Sequence, residues 1–447
     1  MGFCLTDGAL NRRIYWFDFA VLLMESKIYD HSLKIEQNLH HNFTVNVFDG
    51  VFFGLALGFA SFVTIIPLFV SKLTDSAVLI GLVPAIHSVG WQVPQLFTAS
   101  WVSRLGAYKP AVMKITLHER LPFFALALLA LGLPIIGETV ALPLLFLCLI
   151  WQGLGGGFCA NAWQSMVGNV IPNRRHGFFF GVQSASANVM IGLGGIVSGY
   201  ILEKGETPLN FAVIFFLAGI AMVLSWIFLG MTREFTNPSI QRLGIDGKYW
   251  TSLLSILRID HRFRRFIIIR NLIQYGFVGF GFYTVHIVQK YGIGGTVIGE
   301  MTGVFAGAQI VANVLLGWLI DKWGHRVTLV IGVLAGLGSA LAAWIAPNYQ
   351  WFYLAFILAG IANGTAWTVV LSMTLDFGNA SERAGYVGLS NTLTAPSTIL
   401  APILGGLLAD AFGFSHTFIF AALASVLTFI VIWGFDRRRD IVMLETS

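Results

Sequence analysis

Residues 317–326 read Gly317-Trp318-Leu319-Ile320-Asp321-Lys322-Trp323-Gly324-His325-Arg326. They close one apolar run, 296–320, and the next begins at Val327. Asp321, Lys322 and Arg326 are too costly to leave in hydrocarbon, so the stretch marks a water-facing edge between two membrane helices. Gly324, without a Cβ, lets the chain reverse tightly there. Outward from it, apolar runs of about twenty residues, each long enough to span a bilayer, recur in both directions. Twelve are read: 45–70, 76–102, 111–136, 141–170, 177–202, 208–230, 266–289, 296–320, 327–346, 350–376, 384–409 and 414–435.

Composition agrees with a membrane protein. Of 447 residues, 56% are hydrophobic and 11% charged, and the mean hydropathy is +0.76. A soluble chain carries about 25% charged residues. The formal charge of +5 does not point to nucleic acid, because the basic residues alternate between loops instead of forming one stripe. Cys4, Cys148 and Cys159 have neither paired nor metal-ligand spacing, so no metal or cofactor is expected. Of the 27 Lys and Arg, 22 lie in alternate loops and at the two ends, against three (Lys72, Lys204, Lys290) in the other loops. That asymmetry puts both termini in the cytosol, with the chain in a plasma or inner membrane.

Five segments follow: a cytosolic leader 1–44, six spans over 45–230, a linker 231–265, six more spans over 266–436, and a cytosolic tail 437–447. The leader has two readings, an interfacial helix after Arg12-Arg13 or true initiation at Met24. In the linker, Tyr249, Trp250, Leu253, Leu254, Ile256 and Leu257 cluster at helical spacing, which predicts an amphipathic helix over 248–262 on the cytosolic leaflet. The halves echo each other. Ser103-Arg104-Leu105-Gly106 answers Asp321-Lys322-Trp323-Gly324, Asn161-Ala162-Trp163 answers Thr365-Ala366-Trp367, and Arg175-His176-Gly177 answers Arg383-Ala384-Gly385.

The order Gly-x-x-x-Asp-Lys-x-Gly-x-Arg at 317–326 resembles the signature loop of the major facilitator superfamily of transporters. The resemblance implies an all-α membrane protein with twelve transmembrane helices in two pseudo-symmetric six-helix bundles, one rocking against the other around a central site. It also implies a conformational latch: Asp321 accepting from the N-terminus of the fifth helix near Gly177 and Phe178, with Arg175, Lys322, Gly324, Arg326, Arg104 and Arg383 around it. A carboxylate is favoured at a helix N-terminus by orphan N–H groups and the macrodipole. Ser103 stands where the first half would carry the acid, so the latch is expected to be one-sided. In that family, proton-driven drug exporters carry an arginine three residues before a Gln-Gly in the fourth helix. Here the pair is Gln152-Gly153 and the position is Leu149, so the likeness stops short of their motif.

Ionisable groups inside spans are candidates for coupling: Asp49, Glu119, Arg120 and Arg270, with His87, His286 and His118. Aligning Gly58-Phe59 with Gly279-Phe280 sets Asp49 opposite Arg270 in related helices; pairing of Asp49 with Arg120 is the other reading. Glu119 and Arg120, being sequence neighbours, are expected to point to different sides of their helix, and a structural ion pair within the first bundle is the reading set against transport chemistry. Gln152, Asn161, Trp163, Gln164, Gln274, Tyr275, Tyr283, Asn313, Asn363, Thr365 and Trp367 are candidates to line a substrate pocket or, alternatively, to pack helices. The expectation is a secondary transporter of a small organic solute, proton-coupled and working as a monomer in the lipid bilayer. The alternatives are an uncoupled facilitator, an exporter of amphipathic compounds, and a transporter-fold sensor. A membrane enzyme would need acids, histidines or metal ligands gathered at one interface, which the sequence lacks.

Overall fold

The computed structural model describes residues 7–102, 104–172, 175–235, 257–375, 377 and 383–434, with only the backbone at 7–32, 99–100, 177, 321, 367–368, 371–372, 375 and 383–385. Ser103, most of the expected linker helix and the tail 437–447 lie outside the described residues, as do the side chains of Asp321, Trp367 and Arg383.

All regular structure among the described residues is helical. α1 is Asp7–Phe59, of which Leu33–Phe59 is apolar enough to cross a membrane. The run expected at 45–70 is therefore broken. Ser61 Oγ accepts from the backbone N–H of Val63 and Thr64 at 3.3 and 3.2 Å, and a short helix, Ile65–Val70, follows with Pro67 in its first turn, where a missing N–H costs nothing. The helix also runs unbroken through 7–44, the region read as a separate leader.

α2 is Ala77–Val102, and a short helix Lys109–Ile115 leads into Leu117–Val170, which doubles back at Gly137 (φ 71°, ψ 163°) into α3 (117–136) and α4 (138–170). α5 is His176–Lys204 and α6 is Leu209–Gly230. α7, His261–Tyr291, contains a 3₁₀ turn at Val278–Gly281. Gly295–Ile345 reverses at Gly324 (φ 77°, ψ 167°) into α8 (295–323) and α9 (325–345). α10 is Trp351–Leu375, α11 Arg383–Phe412 and α12 Phe414–Trp433. Ten helices are long and apolar enough to cross a membrane; counting the doubled 62-residue one twice and adding the shorter Trp351–Ala366 gives twelve crossings among the described residues.

Glycine decides how closely they pack. Gly54 and Gly58 of α1 lie against the backbone of Ala187 and Ile191 on α5, and Gly157 of α4 lies against Gly90 and Pro94 on α2. A Cβ at Gly54 would stand 2.7 Å from Ala187 Cα. In a lipid solvent, where burying apolar side chains gains little, such close backbone approach supplies the association energy. Within each set of six, α1 packs on α5 and α6, and α2 on the α3–α4 hairpin; α10 packs on the α8–α9 hairpin, and α12 on that hairpin and α7. The halves meet through α5 with α8 and α2 with α11, two pairs that the pseudo-symmetry exchanges.

Candidate functional site

The α5–α8 contact is not uniform along its length. Gly199, Gly192 and Gly181 lie within about 20° of one another on α5 at 100° per residue. A Cβ on Gly199 would stand 2.8 Å from Gly299 Cα, and one on Gly192 would stand 3.6 Å from Gly303 Cα, whereas one on Gly181 would meet nothing within 4 Å. On α8, Gly299 sits against Gly195 and Gly199, while Gly307 and Gly317 meet nothing. Gly307 thus departs from the close packing that its spacing with Gly303 suggests. The helices touch toward one face of the molecule and part toward the other, the basic face, which carries the 104–108 and 321–326 turns.

Core packing follows the same gradient. One cluster of buried side chains runs through both halves, from Ile80 and Val83 of α2 to Phe282 of α7 and Ile298 of α8. Toward the basic face the clusters belong to one half each: Phe263, Leu316, Val369 and Ile432 in the second, Val102, Met166 and Leu229 in the first. There Phe178 is 62% exposed and Trp318 56% exposed. The α2–α11 pair stays in contact lower down, with Leu96 against Gly388, so the opening is a wedge between α5 and α8.

Two carboxylates hold the closed face. Glu203, at the end of α5, accepts from Thr296 N in the first turn of α8 at 3.3 Å. Asp410, at the end of α11, accepts from Ala77 N in the first turn of α2 at 2.7 Å. Each caps the orphan N–H groups of a helix in the opposite half, and the pseudo-symmetry exchanges one cap for the other. Thr302 Oγ1 adds a bond to Thr64 Oγ1 at 2.9 Å. The resemblance implied this device at the basic face through Asp321. Around that turn Arg326 instead donates to the last carbonyls of α12, Ile432 O and Trp433 O, both at 3.0 Å, and Lys322 Nζ lies 4.9 Å from the Trp318 ring centroid. Arg104 and Arg175 are exposed. In the first half, Glu234 accepts from Tyr108 N and Lys109 N at 2.9 and 2.7 Å, and Asn169 Nδ2 donates to it at 3.2 Å. Burial and, second, the Glu234 charge raise the Tyr108 phenol above its ordinary pKa.

Asp49, Glu119 and Arg120 form one buried cluster between α1, α3 and α6. Arg120 Nη2 lies 3.4 Å from Asp49 Oδ1, and Nη1 lies 3.6 Å from Glu119 Oε2. Arg120 also donates to Thr116 Oγ1, to Ser225 Oγ at 3.0 Å and to Met222 O at 3.2 Å, while Ser225 Oγ donates to Asp49 Oδ1 at 2.6 Å. Glu119 and Arg120 do not point apart as neighbours on a helix were expected to, because the long arginine side chain folds back over the turn. Asp49 does not face Arg270 either. Arg270 donates to Ser390 Oγ and, at 2.8 Å, to Asn391 Oδ1 on α11.

The remaining candidates separate. His87 Nδ1 is 2.8 Å from Gln152 Oε1 and its ring stacks on Phe62 at 4.0 Å; Gln152 Nε2 is buried without a partner. Asn161 Nδ2 clamps α4 to α2 through Thr98 Oγ1 at 2.9 Å. His286 packs among Phe352, Phe414 and Phe418, and His118 accepts from Trp151 Nε1 at 3.1 Å. Tyr283 is fully buried inside the second half, its hydroxyl 2.9 Å from Ser339 Oγ, and Thr365 is buried against Gly332 of α9; neither reaches an open surface. Gln164 is exposed, while Trp163, Gln274, Tyr275, Asn313 and Asn363 are half-buried. Thr398 Oγ1 donates to Gln274 Oε1 at 3.3 Å. Leu149, the position of the exporters' arginine, is fully buried in the apolar core.

Twelve crossings among the described residues, in two related sets of six, closed on one face and parted on the other, define a polytopic helical membrane protein. The profile of the Major Facilitator Superfamily matches residues 118–286 and 266–444. The chain belongs to that superfamily. Among curated relatives it is 25% identical over 180 residues to Multidrug resistance protein 1 of Bacillus subtilis (strain 168), covering 39% of this chain and 46% of that one. It is 29% identical over 140 residues to the class H tetracycline resistance protein of Pasteurella multocida, covering 31% of this chain and 34% of that one. The matches thus span less than half the length of either relative. Among solved structures, the nucleoside transporter NupG superposes with a TM-score of 0.70 at 11% identity, over 89% of this chain and 100% of that one. The xylose transporter XylE from E. coli, in a partially occluded inward open conformation, gives a TM-score of 0.64 at 16% identity, over 89% and 98%. At these identities the superpositions speak to the fold.

Proposed function

We propose that this chain is a secondary transporter that moves a small organic solute by alternating access, coupled to protons, with its basic face toward the cytosol. The wedge between α5 and α8 carries the reading: one glycine face is packed at its far end and free at its basic end, which is what a pair of helices that rocks about a crossing point needs. The Glu203 and Asp410 caps would then be the fastening of the cytosol-open state, and Asp321 with the N-terminus of α5 the fastening of the opposite one.

For coupling, the Asp49–Glu119–Arg120 cluster is the best candidate. Two carboxylates around one guanidinium leave an excess negative charge in a dry bundle, which one proton would neutralise. Purified protein in vesicles should take up solute down an imposed pH gradient. Asp49→Asn and Glu119→Gln should lose that drive while keeping solute exchange. Full gradient-driven uptake in both variants would refute the coupling role.

Export of amphipathic compounds is the second reading, favoured by the resistance proteins among the relatives. It predicts that expression in a sensitive host raises tolerance to such compounds; uptake of a polar solute without any change in tolerance would exclude it.

A further inference from the structure

Two arginines lie within the spans, and their surroundings are opposite. Arg120 sits between two carboxylates and has all its neighbours in place. Arg270 is half-buried on α7, and its two contacts are neutral: Ser390 Oγ and, at 2.8 Å, Asn391 Oδ1. Among the described residues no carboxylate lies within ion-pair distance of it. A guanidinium has five N–H donors and stays charged at any physiological pH. Two neutral acceptors therefore leave a full charge in an apolar bundle, a costly arrangement without a counter-ion.

The polar seam continues beside it. Gln274, one turn along the same face of α7, takes a hydrogen bond on Oε1 from Thr398 at 3.3 Å, which leaves its amide N–H groups to donate elsewhere. The chemistry gathered here is one fixed cation and neutral hydrogen-bonding groups. That suits an oxyanion, and the planar fork of arginine suits a carboxylate best.

We infer that Arg270, oriented by Ser390 and Asn391 and flanked by Gln274, is the anion-binding end of the substrate site, and that the transported solute carries a carboxylate. This rests on the transport reading above. A carboxylate bound at Arg270 and a proton at the Asp49 cluster would each cancel one unbalanced charge, so both halves could move through the bilayer neutral.

Binding to purified protein in nanodiscs of zwitterionic lipid tests it, with acetate and benzoate set against acetamide and benzamide, and with inorganic sulfate as a separate arm. A carboxylate should bind at least ten times more tightly than its amide. Arg270→Gln should weaken it about 10- to 100-fold, the range of a charged hydrogen-bonded contact. Arg270→Lys, which keeps the charge but not the fork, should fall between, and unliganded melting temperatures close to wild type would show that the variants fold. Equal affinity for acid and amide, no carboxylate bound by the wild type, or binding that survives Arg270→Gln overturns the assignment. Sulfate binding that carboxylates cannot displace overturns it too, in favour of a site for inorganic anions. Because binding is read without transport, a chain that holds carboxylates yet carries nothing across a vesicle would sink the transport reading and the claim about its solute, and leave Arg270 as a carboxylate-binding site alone.

Discussion

Asp410 and Glu203 occupy the last turns of their own helices, where the macrodipole disfavours a negative charge. Each is compensated by the N-terminus of a helix from the other half. An acid at the wrong end of its own helix is a signal in the sequence, but it becomes informative only when the neighbour is known. A cap of this kind contributes about 1 kcal/mol, and less at exposed positions. Asp410→Ala with Glu203→Ala should therefore shift the resting population severalfold toward opening at that face. Labelling of Leu202→Cys should rise accordingly, and unchanged labelling would mean that the caps do not hold the state. At the buried cluster the sign reverses with the partner removed. Arg120→Ala strands two carboxylates and should cost about 3–5 kcal/mol, and adding Asp49→Asn should recover part of it. A loss below about 1 kcal/mol in detergent unfolding would contradict the burial argument. The residues Asp49, Glu119 and Arg120 were legible as costly intramembrane charges. Pairing of Asp49 with Arg120 was one of two readings, and the choice between Arg120 and Arg270 was not legible, since it depends on α1, α3 and α6 meeting, and no spacing within one helix encodes that.

At the scale of the helix, glycine punctuates. Gly137, Gly324 and Gly413 adopt φ of 71°, 77° and 88° at three helix reversals, a region that side chains with a Cβ enter only at a cost of about 1–2 kcal/mol. Gly137 has open space around it, so Gly137→Ala should lose about that much through backbone strain alone, and Gly137→Asn as much, because a ψ of 163° lies outside the left-handed helical region that Asn tolerates; equal stability of all three proteins would remove the strain account. The reversal at Gly324 could be read from its neighbours, because charge and glycine coincide there. The one at Gly137 lies between apolar runs with only Glu138 beside it. The break of α1 before Ile65 was invisible, since Ser61 and Thr64 suit a helix in lipid as well as a turn. Along α5, Gly199→Val should clash with Gly299 and block closure of that face, lowering exchange, whereas Gly181→Val should be accommodated in the present state and hinder the other. Identical effects of the two substitutions on state-dependent labelling would contradict the gradient in packing.

Over the whole molecule, the twelve runs and the internal echoes announced two bundles, because lipid forces every span to be long and apolar. Which faces of those bundles touch was hidden: a glycine stripe such as 299, 303, 307 reads the same whether it is packed or parted. Spin-label distances between the ends of α5 and α8 would decide it, with one pair at Phe178→Cys and Trp318→Cys on the basic face and another at Lys204→Cys and Thr296→Cys on the far face. Alternating access predicts two populations whose distances change in opposite senses, the present one long at the basic face and short at the far face, with saturating substrate redistributing them. A single unchanging distance at both pairs, or both pairs lengthening together, would contradict it.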